Sequence, residues 1–150
     1  MLNTDSPRHR LPFLVTGQSQ KELTHNEALA MIDALLHPVV EAIVTEPEQP
    51  LAQSDSGKCW LVGPNPSGAW TGEAGNLACW ANGSWRFLPP AEGMQLWNSQ
   101  ESCDYRYISG QWLAAIAVEN VNGGNIVDIQ ARAAINQLLQ YLRNTGQIRS

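Results

Sequence analysis

Residues 77–88 read LACWANGSWRFL and contain the clearest structural signal in the chain. Asn82-Gly83 is the dipeptide preferred in the two-residue type I′ turn of a β-hairpin, and apolar and aromatic residues occur on both sides of it. Positions equidistant from the turn face each other across a hairpin, so we expect Trp80 and Trp85 to form a cross-strand aromatic pair. The stretch therefore predicts two antiparallel strands joined at Asn82-Gly83.

The same short pattern, a turn dipeptide ending in Gly, one further residue and then Trp, occurs three times in this region. Its copies are Ser67-Gly68-Ala69-Trp70, Asn82-Gly83-Ser84-Trp85 and Ser109-Gly110-Gln111-Trp112. Residues 105–108 and 112–116 flank the last copy and predict a second hairpin. We therefore expect a Trp-rich antiparallel sheet built from hairpins between residues 51 and 118.

An amphipathic helix is predicted over residues 24–37, before the β region. Thr24 and Glu27 have the spacing of a capping box, in which the two side chains bond to backbone amides at the helix start. Pro38 ends the helix. The apolar residues recur at the spacing of one helical face: Leu29, Ile32, Leu35 and Leu36.

The remaining segments complete the pattern. Residues 39–44 are rich in β-branched side chains and predict the first strand, and residues 46–50 form a Pro-containing connector. Residues 121–125, VNGGN, predict a flexible hinge before a C-terminal helix that begins at Asp128 and ends before Gly146. This helix can pack on its own chain or on a neighbouring subunit. Its apolar stripe consists of Ile135, Leu138, Leu139 and Leu142.

Together these patterns predict an α+β fold with an N-terminal helical module, an antiparallel Trp-rich β-hairpin sheet and a C-terminal amphipathic helix. The three segments are residues 1–46, 51–118 and 119–150. We expect one compact domain, because a chain of 150 residues can bury roughly 68–70% of its unfolded surface. Residues 1–9 predict a disordered or partner-ordered arm whose basic Arg8-His9-Arg10 forms a solvated tail.

Composition narrows the function classes. The net charge of −5 argues against nucleic-acid binding, which favours a basic surface. Six Trp and 12 Gly suit a turn-rich β structure with an extended contact surface. The apolar runs are far shorter than the ~20 residues that a membrane span needs. Because the N-terminus lacks the apolar segment of a signal peptide, we expect synthesis and assembly in the cytoplasm.

The sequence contains no motif that indicates catalysis. Cys59, Cys79 and Cys103 are odd in number and widely spaced, which predicts buried free thiols rather than a disulfide framework or a zinc site. The sequence contains no phosphate-binding loop, dinucleotide fingerprint or hydrolase elbow. We therefore expect a protein that is not an enzyme and that has no catalytic residues, metal or cofactor.

Residues 11–35, LPFLVTGQSQKELTHNEALAMIDAL, resemble the N-terminal signature of an uncharacterised family found in structural proteins of tailed phages, prophages and gene transfer agents. That family opens with a short apolar run, Gly-Gln-x-Gln-Lys and Thr-His-Asn-Glu-Ala, and a Trp-rich β region follows its Leu/Ile-rich helix. The similarity covers residues 10–98 and continues more weakly into the C-terminal helix. The resemblance implies a fibre, spike or tail-associated component of a virion or phage-like particle, and it supplies no active-site residues.

The composition and the family resemblance both indicate which partners this chain binds. The chain is predicted to self-associate, with a trimer favoured, and to dock on other particle proteins through a surface that includes His25 and Asn26. The alternative is a carbohydrate-binding adhesion module that recognises a bacterial surface polysaccharide through Trp70, Trp85 or Trp112. Trp is amphipathic, so the same residues can instead fill the core, brace hairpins or contact a neighbouring subunit.

Overall fold

The computed structural model describes residues 4–14, 17, 21–46, 51–124 and 128–149. Parts of the predicted connector (residues 47–50) and of the predicted hinge (Asn125) lie outside them, as do residues 18–20 of the Gly-Gln-x-Gln-Lys motif. The described residues form two α-helices and eight strands, which confirms the predicted α+β class. These elements are α1 (Lys21–Leu35), β1 (Val39–Val40), β2 (Ile43–Val44), β3 (Cys59–Val62), β4 (Leu77–Ala81), β5 (Ser84–Leu88), β6 (Gln95–Asn98), β7 (Cys103–Ile108), β8 (Gln111–Ala114) and α2 (Ile129–Asn144).

The hairpin predicted at residues 77–88 is confirmed. Strands β4 and β5 pair in antiparallel register, with Trp80 directly opposite Trp85. The two rings meet edge to face with centroids 5.0 Å apart. Asn82 and Gly83 have φ angles of 52° and 76°, and a type I′ turn requires positive φ at both central positions.

The second predicted hairpin is also confirmed and has the same geometry. Ser109 and Gly110 have φ angles of 51° and 81° between β7 and β8. Tyr107 lies opposite Trp112, and their ring centroids are 5.2 Å apart. The two hairpins therefore place an equivalent aromatic pair at the same distance from an equivalent turn.

These hairpins belong to two separate four-stranded sheets, whereas the sequence pattern predicted one. The strand orders are β2-β3-β4-β5 and β1-β6-β7-β8. In each sheet three antiparallel strands are extended by one short parallel strand. Both parallel strands come from residues 39–44, so the single strand predicted there divides into β1 and β2 at Glu41-Ala42. Each half of that segment joins a different sheet.

The main core lies where the inner faces of the two sheets meet. The outer face of the β2-β3-β4-β5 sheet is covered by a short 3₁₀ segment, Gly68–Trp70, whose Trp70 is fully buried against Val62 and Ala78. The buried side chains of the main core come from both sheets and from α1: Ala34, Val40, Cys59, Leu61, Leu77, Cys79, Leu88, Leu96, Cys103 and Tyr105.

The cysteine prediction is wrong for two of the three residues. Cys59 and Cys79 lie directly opposite each other on β3 and β4, and a disulfide bond joins them. Cys103 is a free, buried thiol, as predicted. Residue spacing alone could not indicate the bond, because strand pairing brings together two residues separated by 20 positions.

Helix α1 begins three residues earlier than the sequence predicted. It starts at Lys21, so Thr24 and Glu27 lie inside the helix, and the predicted capping box is wrong. Glu27 instead pairs with Arg86 of β5, whose Nη2 donates to the carboxylate over 2.8 Å. The side chain that was expected to cap the helix therefore ties it to the sheet.

The buried face of α1 is also different from the apolar face expected. Ala30, Asp33 and Ala34 are buried. The larger apolar residues Ile32 and Leu36 are exposed, at 46% and 58% of their full surface. Small side chains let the helix approach the rest of the chain closely, and the buried Asp33 binds the N-terminal segment.

Residues 4–14 form an ordered, folded-back segment on α1, which corrects the prediction of a disordered or partner-ordered arm at residues 1–9. The backbone amides of Arg8 and His9 donate to the two Asp33 carboxylate oxygens over 2.9 and 2.6 Å. The Arg8 guanidinium donates to the carbonyls of Ala34 and His37. These carbonyls lie at the helix end, where a cation is favourable, so Arg8 is not a solvated tail residue.

Asp33 is ionised at neutral pH despite being almost completely buried. Burial by itself raises the pKa of the Asp33 carboxyl group. Hydrogen bonds from the Ser6 side chain, the Arg8 and His9 amides and the His9 side chain outweigh burial and lower this pKa below its ordinary value. The carboxylate is therefore stabilised by the same contacts that hold the N-terminal segment in place.

The ends of α2 match their sequence signals. The Asp128 carboxylate accepts from the Ala131 amide over 2.9 Å, which confirms the predicted N-cap. Beyond the helix, the Gly146 amide donates to the Arg143 carbonyl and the Gln147 amide to the Leu142 carbonyl. These two bonds define a Schellman motif, in which Gly146 takes the left-handed position with φ of 71°.

The residues after α2 attach it to the β1-β6-β7-β8 sheet. The Asp104 amide donates to the Gly146 carbonyl over 3.0 Å, and the Arg149 amide donates to the Ile116 carbonyl over 2.9 Å. The Arg149 guanidinium also donates to the Tyr105 hydroxyl and pairs with Glu101. These contacts fix the C-terminal end of the helix.

We expect Asp33→Ala to lower the free energy of unfolding by about 1–3 kcal/mol at pH 7, because it leaves two amides without their acceptor. The pKa of Asp33 is lowered in the folded state, so its contribution is present above the ordinary pKa and is lost as the pH falls through the folded value. The difference between variant and wild type should therefore shrink in acid. Chemical denaturation at several pH values checks this, with the exposed Glu119→Ala as control. A difference that does not change with pH would contradict the assignment.

The double variant Cys59→Ala/Cys79→Ala should unfold with a free energy lower by about 2–4 kcal/mol, because the cross-link restricts the unfolded chain. Reducing the wild type before denaturation should give a similar loss. Mass spectrometry after alkylation should find one modified thiol in the unfolded, unreduced protein and three after reduction. Three modified thiols without reductant would show that the bond is absent.

Gly146→Ala and Gly123→Ala form a matched pair of variants. Both glycines have positive φ, 71° and 69°, so both variants incur backbone strain. An added Cβ meets no atom within 4 Å at Gly123, but at Gly146 it overlaps the ring of Trp97. We expect Gly146→Ala to lower the thermal midpoint clearly more than Gly123→Ala. Equal effects in calorimetry would mean that the C-terminal residues are not packed on Trp97.

Candidate functional site

Four tryptophans form a cluster on the outer face of the β2-β3-β4-β5 sheet. Trp85 lies at its centre, edge to face with Trp60, Trp70 and Trp80 at centroid distances of 5.6, 5.0 and 5.0 Å. Trp70 is fully buried, so no face of its indole is open to a sugar. Edge-to-face contacts of this kind add to the stability gained from burial. Trp70, one of the predicted glycan-binding residues, therefore braces the fold, whereas Trp85, another of them, is half-buried.

Trp112 occupies a different environment, at the tip of the β7-β8 hairpin. It is half-buried, and its indole Nε1 donates to the Gly75 carbonyl over 2.8 Å. Gly75 belongs to the loop that precedes β4 in the other sheet. Trp112 thus spans the gap between the two sheets and forms part of the wall of a cleft.

This inter-sheet cleft has a volume of about 480 Å³, within the range of roughly 300–1,000 Å³ that is usual for small-ligand sites. One wall is the β7-β8 hairpin, with Tyr107 and Trp112. The opposite wall is formed by Pro64 and by residues 74–76. Ile43, Leu61 and Val62 line the cleft where the two sheets approach each other.

The lining of the inter-sheet cleft carries no Asp, Glu, Lys, Arg or His among the residues that the structure describes. Its polar residues are Asn76, Gln111 and the two tyrosines. The Asn76 amide nitrogen donates to Glu73 over 2.7 Å, which orients that side chain. An uncharged, aromatic cleft with amide groups suits a neutral ligand with hydroxyl or amide groups.

Helix α2 presents a second candidate surface. None of its residues is buried. Its contacts with residues 118–124 come from one face: Arg132 and Arg143 bind backbone carbonyls, and Asn136 accepts from the Val121 amide over 3.1 Å. Apolar residues lie about a quarter of a turn away at 3.6 residues per turn. This assembly face consists of Ala131, Ile135, Leu138 and Leu142.

The assembly face remains open to solvent. Ile135 and Leu138 are 43% and 64% exposed, and Leu142 is half-buried. Helix α2 contains only two charged residues, Arg132 and Arg143, and both face their own chain. Of the four residues of the predicted apolar stripe, Ile135 and Leu138 are thus exposed, whereas Leu139 and Leu142 are half-buried.

A smaller exposed apolar face lies on α1. His25 and Ile32 are seven residues apart, so they share one side of the helix, and Leu36 directly follows the helix end; all three are exposed. Asn26 points elsewhere: its side-chain amide bonds both the amide and the carbonyl of Leu14, over 2.8 and 3.0 Å. The structure thus leaves His25 available for docking and uses Asn26 to hold the N-terminal segment.

The free cysteine does not resemble an activated nucleophile. Burial, together with the neighbouring Asp104, raises the pKa of the Cys103 thiol. The thiolate is the reactive form of cysteine, so a raised pKa lowers its reactivity. In the part of the chain that the structure describes, no three His, Cys, Asp or Glu side chains group together as a metal site. The described helices include none with the length and hydrophobicity of a membrane span.

The sequence pointed to only part of these surfaces. It identified Trp112 and the apolar stripe of α2 through their spacing. It did not identify the inter-sheet cleft, because Pro64, Asn76, Pro90 and Gln111 come from separate turns and strand ends that meet only when the sheets pack. The Gly-x-Trp pattern at Gly110 was the one local signal for this site.

Comparison with known proteins identifies a family for this chain. No curated protein matches the chain in sequence. One family profile matches residues 25–113, from the first turns of α1 through both sheets to β8, and its description is "Protein of unknown function (DUF2793)". The match spans more than half of the chain and ends before α2. The chain therefore belongs to the DUF2793 family of proteins of unknown function.

Proposed function

We propose that this protein is a structural subunit of a phage or phage-derived particle, in its fibre, spike or tail-associated apparatus. It acts by self-association and docking rather than by turnover. The sequence of residues 11–35 supports the particle assignment, because it resembles the N-terminal signature of a family found in phage structural proteins. The observation that carries the mechanism is the solvent-exposed assembly face of α2.

The assembly face has the chemistry of a helix–helix contact. Ala131, Ile135, Leu138 and Leu142 follow a 4-3-4 spacing, which is the apolar repeat of a coiled coil. Exposed contiguous apolar surface is unfavourable in a soluble monomer and commonly marks an interaction site. A partner helix that covers this face removes it from water.

A second copy of the chain is the partner that fits best. Two α2 helices meeting along the assembly face bring no like charges together, because both arginines of each helix point to their own residues 118–124. Closed cyclic symmetry then uses the same surface of every subunit. Fibres are commonly threefold, so the assembly that we favour is a trimer, with the α1 outer face (His25, Ile32, Leu36) free to dock on another particle protein.

The Cys59–Cys79 disulfide supports a role outside the reducing cytoplasm, because such bonds persist in oxidising surroundings. We infer assembly in the bacterial cytoplasm and closure of the disulfide after the particle is released. A cross-link between β3 and β4 then stabilises a component that must remain folded without chaperones.

Leu138→Glu and Gln140→Glu test this proposal as a matched pair, since each places one carboxylate on α2. Leu138 lies on the assembly face, and Gln140 lies on the opposite side of the helix. We expect the wild type to sediment at a multiple of the 16.5 kDa chain mass. Leu138→Glu should dissociate to monomers, because a charge at the apolar seam loses its solvation, and Gln140→Glu should behave as the wild type.

The same pair tests the particle assignment. Each variant is expressed in place of the wild type in a strain that produces the particles, and purified particles are probed for the chain by mass spectrometry. We expect the wild type and Gln140→Glu in the particles and Leu138→Glu to be depleted. A monomeric wild type at tens of micromolar would contradict self-association. Particles that lack the wild-type chain would contradict the particle role.

A further inference from the structure

We propose that the inter-sheet cleft binds a neutral saccharide. The inter-sheet cleft is separate from the assembly face of α2. Its lining is uncharged, one wall is aromatic, and polar side chains lie on both walls.

The lining of the cleft indicates what charge its ligand carries. In the described part of the chain, the lining of the inter-sheet cleft includes no Asp, Glu, Lys, Arg or His, although the chain as a whole carries a net charge of −5. An anionic ligand would lose its hydration without gaining a cationic partner, and a cationic ligand would find no carboxylate. The ligand that the cleft favours is therefore uncharged.

The aromatic wall next indicates a ring-shaped ligand with an apolar face. Tyr107 and Trp112 are both half-buried and stand on the same face of the hairpin, at its tip, with an interplanar angle of 60°. Trp112 is fixed by its bond to the Gly75 carbonyl, so it loses little freedom on binding. A fixed aromatic surface of this size matches the C–H face of a pyranose ring.

Asn76 and Tyr107 supply the polar contacts. Asn76 stands on the loop before β4 and Tyr107 near the end of β7, so they belong to opposite walls of the cleft. Gln111 is next to Trp112 on β8, so its side chain points to the other face of the hairpin. The Asn76 amide oxygen and the Tyr107 hydroxyl can both bind ring hydroxyls without any charged group.

A proline-rich peptide is the competing ligand, because aromatic grooves also bind polyproline helices. Such grooves present successive aromatic ridges along the peptide. Here Tyr105 is buried, so the accessible aromatic surface is one edge-to-face pair, and Asn76 lies on the opposite wall. This arrangement favours a ring stacked at one position over an extended chain.

The two hairpins provide a matched control for the test. Tyr107 and Trp80 occupy equivalent positions, each opposite a Trp and two residues before the first turn residue. Only Tyr107 lines the inter-sheet cleft. Tyr107→Ala and Trp80→Ala thus remove corresponding aromatic rings, and a role in hairpin stability alone predicts similar consequences for both.

The experiment is a titration of the full chain, followed by ¹H–¹⁵N NMR, with maltotriose, cellotriose and tri-N-acetylchitotriose. Trigalacturonic acid serves as the anionic control and a proline-rich peptide as the competing ligand. We expect at least one neutral trisaccharide to shift the Trp112 indole and the Gly75, Asn76 and Gln111 signals saturably. Tyr107→Ala should weaken that binding by about tenfold or more, Trp80→Ala should leave it within about twofold, and the monomeric Leu138→Glu should bind as the wild type.

Several results would overturn the proposal. They are the absence of saturable shifts at about 10 mM of each neutral trisaccharide, equal or tighter binding of trigalacturonic acid, and shifts in the cleft with the peptide alone. Equal loss of binding in Trp80→Ala and Tyr107→Ala would also reject it, because it would assign the effect to hairpin stability. Self-association is measured separately, so either proposal can fail while the other stands.

Discussion

Residues 39–44 hold the two sheets together, and the rest of the structure depends on that connection. Strand β1 pairs with β6, where the Ser99 amide donates to the Val40 carbonyl over 2.9 Å. Two residues later the Leu61 amide of β3 donates to the Ala42 carbonyl over 3.0 Å. Val40 itself is fully buried in the common core. Because consecutive residues are ladder partners of both sheets, neither sheet can shift without breaking backbone hydrogen bonds in the other.

This constraint gives the inter-sheet cleft its shape. The sheets meet at residues 39–44 and along their buried inner faces, but the β7-β8 hairpin extends beyond the core toward the loop before β4. Trp112 then reaches Gly75, and the space between the hairpin and that loop remains open. The equivalent aromatic pair of the other hairpin, Trp80 and Trp85, lies in a tryptophan cluster instead. A hairpin with a cross-strand aromatic pair thus stabilises one sheet, and the equivalent hairpin of the other sheet lines the cleft.

In the terminal segments, polar contacts determine which face of each helix is turned toward its own chain. Asp33 brings residues 4–14 onto α1, and the exposed face of the helix then carries Ile32 and Leu36. Arg143 and Arg149 attach the C-terminal residues in the same way and leave Leu138 outward. These charged groups bind partners within their own chain. The apolar faces therefore remain on the surface, where another subunit can cover them.

Local sequence patterns were enough to predict both hairpins, the Trp80–Trp85 pair, the α+β class, the Asp128 cap and the Gly146 end of α2. Each depends on residues within a few positions of one another. The tertiary structure alone decided the division of residues 39–44, the pairing of Cys59 with Cys79, the start of α1 and the lining of the cleft. These features join residues far apart in sequence, and local propensity is overridden where long-range burial and hydrogen bonding contribute more free energy.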